Sequence, residues 1–274
     1  VVGLLLVIEA AFMVIPCLTA LYVEEESVWP FLICLGITGG CGALMTLLRP
    51  KSRDMGKREA ILLTGFTWVV LSLFGMLPFM FYGTHLSITD AFFETMSGFT
   101  TTGASVLNTL VDVPKSILLW RCIIQWIGGL GIILFTLAVV PMLSYSGGMQ
   151  LFNAEVTGIT HDKLRPQVSY TAKGLWGVYA IFTGILIVLL AFSKMDFFDA
   201  LCYGLSTMST GGFSNSDMSL SDWNSVYIKT VMTIFMFIGG VNFALIYNAA
   251  IGKPKMLLKN TTLRVYLWLI AGCY

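Results

Sequence analysis

Asp90-Ala-Phe-Phe-Glu-Thr-Met-Ser-Gly-Phe-Thr-Thr-Thr-Gly-Ala-Ser105 and Asp199-Ala-Leu-Cys-Tyr-Gly-Leu-Ser-Thr-Met-Ser-Thr-Gly-Gly-Phe-Ser214 are two versions of one pattern. A shift of 109 residues pairs Asp90 with Asp199, Ala91 with Ala200, Ser97 with Ser206, Thr101 with Thr210, Gly103 with Gly212 and Ser105 with Ser214. Six identities in sixteen positions, where chance gives roughly one, make this an internal repeat. Each copy begins with apolar residues at helical spacing, behind the capping segment Ser87-Ile-Thr-Asp90 in the first and from Asp196-Phe-Phe-Asp199 in the second. Each then enters a Thr/Gly stretch without helical period. The pattern predicts a short helix followed by a turn, twice.

Working outward, each copy lies between long apolar runs. Runs of about 20 apolar residues are read as membrane spans, and the chain offers Val1–Tyr22, Val28–Leu48, Ala60–Tyr82, Ser116–Met142, Leu175–Ser193 and Ser225–Ile251, with Val265–Tyr274 begun. The spans after the two Thr/Gly stretches repeat as well, since Ile127-Gly-Gly129 matches Ile238-Gly-Gly240 at a shift of 111. The unit is therefore span, re-entrant helix, turn, span. The fold class expected is an all-α membrane protein. It has an extra helix pair at 1–48, a first helix–pore–helix repeat at 60–142, a second at 175–251, and the start of a third at 265–274. The absence of an initial Met and the stop inside an apolar run suggest a fragment cut at both ends.

Composition agrees. Hydrophobic residues make up 57% of the chain and charged residues 11%, with a mean hydropathy of +0.83, where a soluble domain carries roughly 25% charged residues. The net charge of +1 says little, and no basic stripe marks a nucleic-acid surface. Twelve of the sixteen Lys and Arg fall in alternate loops: Arg49 to Arg58, Lys163 to Lys173, and Lys253 to Arg264. Basic loops stay cytoplasmic, so 83–115 and 194–224 face outward.

Physics restricts what the turns are for. Non-helical backbone at membrane depth persists only where protein buries it or a water-filled cavity borders it. Glycine permits angles that turn carbonyls to one side, and rings of carbonyl oxygens replace the hydration shell of K⁺. The C-terminal, negative end of each short helix favours a cation. Such turns could also simply join two spans outside the bilayer. Duplication in register, each copy behind a capped apolar helix, favours the ion-lining reading.

At these residues the chain resembles the membrane subunits of the Trk/Ktr/HKT superfamily of potassium transporters. The likeness rests on Phe99-Thr-Thr-Thr-Gly-Ala-Ser105, Ser209-Thr-Gly-Gly-Phe-Ser214, Leu151-Phe-Asn-Ala-Glu155, Asp162-Lys-Leu-Arg-Pro166 and Thr171-Ala-Lys-Gly-Leu-Trp176. It implies four repeats per chain, of which two are complete here. It also implies K⁺ as the transported ion, with no organic cofactor in this chain. The ligands implied are Thr101, Thr102, Gly103, Thr210, Gly211 and Gly212, with one filter glycine per repeat at Gly103 and Gly212. Glycine rather than serine at 103 favours K⁺ over Na⁺. The resemblance further implies residence in the bacterial inner membrane, a homodimer, and gating by a cytoplasmic nucleotide-binding regulatory ring.

Other residues support or compete. Thr100 and Ser209 border the turns. Glu94 lies within an apolar helix and needs a partner, for which Arg121 is placed. Asp90 and Asp199 either cap helices or concentrate cations. Glu9 reads as a packed or snorkelling carboxylate, Gln125 as an interhelical hydrogen bond, His85 and His161 as solvated loop residues. The glycines 128, 129, 131, 239 and 240 read as close packing or a bend. None of the six cysteines stands at CxxC spacing, so neither zinc nor a disulfide framework is encoded. No HExxH, GxSxG or Walker A sequence is present, and the spans carry almost no polar clusters for an enzyme. A secondary transporter with broken helices remains the rival, disfavoured by spans read as unbroken.

Overall fold

The computed structural model describes residues 2–48, 57–81, 86–144, 164–250 and 260–273. The described residues form helices and no strand. In chain order these are α1 (Val2–Val23), α2 (Val28–Leu47), α3 (Lys57–Gly75), α4 (Leu77–Phe81), α5 (Ile88–Phe99) and α6 (Lys115–Ser144). There follow α7 (Leu164–Ala191), α8 (Phe197–Met208), a 3-10 turn (Ser219–Asp222), α9 (Val226–Gly240), α10 (Phe243–Ala250) and α11 (Thr261–Cys273). Among the described residues four stretches are long and apolar enough to cross a membrane: Val2–Val23, Val28–Leu47, Leu62–Phe81 and Lys173–Ala191. Leu4, Leu18, Leu21, Leu44 and Leu47 remain exposed on α1 and α2, an apolar surface that water tolerates poorly and lipid accepts. His85, His161 and the basic stretches 49–56 and 251–259 lie outside the described residues.

Two cores organise the described residues. In the first, Leu6, Met13, Phe31, Phe79, Phe99 and Trp120 join α1 to α6, reaching Cys202 and Leu205 of α8. The second joins α7 to α10 through Tyr179, Leu186, Tyr203, Met232 and Phe243. Within the first, α1 and α2 meet at glycines: a Cβ on Gly3 would stand 2.8 Å from the Gly42 carbonyl oxygen, and one on Gly42 would stand 2.9 Å from that of Gly3. Such small-residue contacts let helices approach without a hydrophobic drive.

Two predicted spans prove discontinuous. The run 60–82 breaks between α3 and α4, because Pro78 has no N–H to give the carbonyl four residues back and its ring crowds that carbonyl. The break frees the Gly75 carbonyl, which accepts the Trp120 indole N–H at 2.9 Å. The run 225–251 breaks between α9 and α10, where Val241 is extended (φ −79°, ψ 143°) after two glycines of low helix propensity. The expectation of unbroken spans around each turn is corrected there. Likewise α7 starts at Leu164, before the predicted Leu175. Pro166 is tolerated in its first turn. Glu9, predicted to pack or snorkel, packs: it is buried, and Gly75 lies so close that a Cβ there would stand 2.8 Å from Glu9 Oε1.

Besides core packing, the helix pair α1–α2 is fastened to α6 by the Ser27 hydroxyl, 2.8 Å from Ser116 Oγ, and by a carboxylate. Glu25, between α1 and α2, accepts the Lys115 N–H at 2.8 Å, the Ser116 N–H at 3.3 Å and the Ser116 hydroxyl at 2.6 Å. It thereby satisfies orphan donors at the start of α6 and sets negative charge at its positive end. Glu25→Ala is expected to remove about 1–2 kcal/mol of stability, read as a lower melting temperature in detergent. An unchanged melting point would show that water replaces the carboxylate at no loss.

Candidate functional site

Both short helices end in the same hydrogen-bonded motif. At α5 the Thr101 N–H donates to Gly98 O at 3.0 Å and the Thr102 N–H to Ser97 O at 2.9 Å; at α8 the Thr210 N–H donates to Thr207 O and the Gly211 N–H to Ser206 O, each at 3.0 Å. These are the paired bonds of a Schellman ending, which requires a left-handed residue at its first non-helical position, usually glycine. Here that residue is Thr101 (φ 55°) in the first copy and Thr210 (φ 54°) in the second. A β-branched residue in that region is a true outlier, costing about 1–2 kcal/mol. Two matching outliers indicate a backbone shape held for use. Gly103 (φ 76°) and Gly212 (φ 84°) then repeat the left-handed conformation two residues on.

The helix starts supply part of the constraint. Ser87 Oγ accepts the Asp90 N–H at 3.2 Å and donates to Asp90 Oδ2 at 2.7 Å, a reciprocal cap. Asp196 occupies the cap position of α8 without a side-chain cap bond. Asp199 is not a cap: its Oδ1 accepts from Asn215 Nδ2 at 3.2 Å, beyond the second turn. Thr100 and Ser209 are the C-cap residues, and their hydroxyls bond back to helix carbonyls, Thr100 to Met96 O at 2.7 Å and Ser209 to Ser206 O at 2.9 Å.

Packing beneath the turns repeats too. A Cβ on Gly128 of α6 would collide with the Phe99 carbonyl; one on Gly239 of α9 would stand 3.1 Å from the Met208 carbonyl oxygen and 2.9 Å from Thr210 Cγ2. Close packing is thus one use of these glycines. Among the described residues no hydrogen-bond donor reaches the carbonyls of Thr101, Thr102, Gly103, Thr210, Gly211 or Gly212. The two turns touch: a Cβ on Gly103 would overlap the Gly211 carbonyl oxygen. Gly103 and Gly212 border one cavity of about 240 Å³, shared with Ser105, Arg121, Ser214 and Asp217.

Behind this junction Glu94 and Arg121 are fully buried and meet, Arg121 Nε to Glu94 Oε1 at 2.8 Å. Every remaining bond of the pair goes to the chain leaving a turn. Glu94 accepts the Ser105 hydroxyl at 3.0 Å and the Val106 N–H at 2.9 Å. Arg121 donates to Ser105 Oγ and to the Ser214 carbonyl, each at 3.1 Å, and stacks over Phe213 at 4.3 Å. One ion pair therefore holds both exits. At the position equivalent to Glu94, Tyr203 bonds Ser214 Oγ at 2.8 Å.

Three residues outside the predicted site join it. Gln125 Oε1 accepts the Ser206 hydroxyl at 2.8 Å and the Phe213 N–H at 3.2 Å, so it bonds a turn as well as a neighbouring helix. Asp217 accepts the Leu110 N–H at 2.7 Å and the Thr109 hydroxyl at 3.0 Å, tying the two outer loops. Phe213 is the third. Gln125 carried a sequence signal as an amide in an apolar span and Phe213 lay within the quoted Ser209–Ser214 motif, while Asp217 carried none.

A helical, lipid-facing protein with twin strained turns over a buried ion pair belongs among polytopic membrane proteins. The sequence profile of the TrkH family, described as a cation transport protein, matches residues 40–269, and the chain belongs to that family. It is 38% identical over 271 residues to the Trk system potassium uptake protein TrkH of Escherichia coli (strain K12), covering 97% of this chain and 56% of that one. It is 32% identical to TrkG of the same strain, also named a Trk system potassium uptake protein, with 98% and 56% covered. The crystal structure of the potassium transporter TrkH from Vibrio parahaemolyticus superposes with a TM-score of 0.84 at 34% identity, covering 97% of this chain and 55% of that one. The chain spans a little over half the length of these relatives.

Proposed function

We propose that this chain contributes two of four repeats to a K⁺ uptake path across the bacterial inner membrane, with the carbonyls of Thr101, Thr102, Gly103, Thr210, Gly211 and Gly212 as ion ligands. The observation that carries this reading is the junction of the turns: carbonyls without protein donors, on left-handed backbone, meeting at Gly103 and Gly211 beside one cavity. A carbonyl without a donor needs water or an ion, and K⁺ accepts such oxygens in place of its hydration shell. Helix C-termini ending at the turns add negative potential. The uptake named in the relatives agrees in ion and direction. The units are the helix pair 1–48, repeats at 60–142 and 175–251, and a third begun at 265–274. Passage is channel-like, through a homodimer gated by the cytoplasmic nucleotide-binding regulatory ring that the resemblance implies.

The test is ion flux in liposomes carrying the full-length chain, with K⁺ and Na⁺ gradients run separately and internal pH followed. Uptake of K⁺ well above Na⁺, without proton movement, is the expected result. Equal passage of the two ions would overturn the carbonyl-ligand reading, and stoichiometric proton movement would transfer the assignment to a coupled transporter, the reading that the break at Val241 keeps open.

A further inference from the structure

Gln125 has more contact with the turns than an interhelical hydrogen bond requires. The side chain is fully buried. Its oxygen is fixed by the Phe213 N–H at 3.2 Å, a donor that only the amide oxygen can accept, so the nitrogen must face the other way. That nitrogen, Nε2, is buried without a hydrogen-bond partner among the described residues. A Cβ on Gly211 would stand 2.5 Å from Oε1 and 2.6 Å from Nε2, while one on Gly103 would stand 3.7 Å from Nε2. The carboxamide of the first unit is thus wedged between the turns of both.

The duplication isolates this feature. At the shift of 111 that aligns Ile127-Gly-Gly129 with Ile238-Gly-Gly240, position 125 corresponds to Met236. The second unit keeps the glycines and replaces the amide by a thioether. Met236 is exposed where Gln125 is fully buried, so the buried amide between two turns belongs to the first unit alone. A buried amide with its nitrogen unpaired is unfavourable unless the site uses it.

We infer that Gln125 is a positioning residue that determines ion specificity: its carboxamide sets the gap between the Gly103 and Gly211 turns and, by holding the Phe213 N–H, the facing of the Gly211 and Gly212 carbonyls. The inference rests on the carbonyl-ligand reading above and goes beyond it by naming what spaces the ligands. Selectivity by oxygen ligands depends on their number and spacing. Loss of the amide therefore alters discrimination between ions more than it alters folding.

The experiment compares Gln125→Met, Gln125→Glu and Gln125→Asn with Gly103→Ser in the full-length chain. K⁺/Na⁺ and K⁺/Rb⁺ flux ratios are measured in liposomes, and folded yield by size-exclusion chromatography. Gln125→Met, importing the residue of the second unit, is expected to fold and to lower the K⁺/Na⁺ ratio by about fivefold or more. Gln125→Glu retains an acceptor for the Phe213 N–H and recovers most of the ratio. Unchanged ratios in Gln125→Met, with Gly103→Ser shifted, would overturn the inference and leave the carbonyl path standing. If neither shifts, the carbonyl path itself fails and the inference with it. Should Gln125→Met not fold, Gln125→Asn decides: too short to hold the Phe213 N–H, it must lower the ratio, and wild-type discrimination in it would refute the role.

Discussion

Gly103→Ser in the full-length chain is expected to abolish selective K⁺ uptake or turn it toward Na⁺. Two penalties combine at this position. Gly103 sits at φ 76°, where any side chain adds about 1–2 kcal/mol of strain. The larger penalty is steric, because the added Cβ would overlap the Gly211 carbonyl oxygen. Backbone oxygen does not swing aside as a flexible side chain does, so the turns must separate. Carbonyls placed to match one ion then sit at spacings that suit another, or none. Gly212 is a useful contrast, at φ 84° with nothing among the described residues within 4 Å of its added Cβ. The penalty that this chain imposes there is strain alone, so Gly212→Ser should be the milder change of the two. Flux ratios for both variants, normalised to folded protein, check the order. Wild-type discrimination in Gly103→Ser would remove the turns from the ion path.

The repeat is legible in the sequence because identical residues at a fixed spacing show it without a structure. Identical residues at Thr101/Thr210 and Gly103/Gly212 imply identical backbone, and the two copies match to within a few degrees at the threonines. Side-chain partnership was legible only where burial forced it. An acid in an apolar helix must be paired, and Arg121 was the basic residue at the matching depth. The break after Gly240 was hidden because glycine pairs serve close helix contacts as readily as helix ends. Only the approach of Thr210 and Met208 to Gly239 shows why that stretch is bare. Of the links between the units only Gln125 was legible, as an interhelical hydrogen bond without a named partner. Glu25 to α6, Asp217 to Leu110, and Gln125 to Phe213 join residues far apart in sequence, through contacts that follow from tertiary packing and leave no local pattern.

The second large effect is expected at the Glu94–Arg121 pair, and the repeat itself shows what the pair is for. In the second unit Tyr203 stands where Glu94 does and holds Ser214 as Glu94 holds Ser105. Holding the serine therefore needs no charge. What Tyr203 lacks is a cation reaching across to the other turn, as Arg121 reaches the Ser214 carbonyl and the Phe213 ring. Both charges are buried, so removing one leaves the other unpaired at a loss of about 3–5 kcal/mol. Glu94→Gln and Arg121→Met alone should each lower the melting temperature in detergent by roughly 10 °C. The double variant removes both charges and should recover most of that loss, since replacing a whole buried pair is often near neutral. It does not restore the bridge from α6 to Ser214. Stability and selectivity should therefore separate: the double variant is expected to be well folded yet to discriminate K⁺ from Na⁺ poorly. Thermal melts paired with flux ratios test this. A double variant with wild-type stability and wild-type discrimination would reduce the ion pair to packing, and the two turns would need another explanation for their fixed spacing.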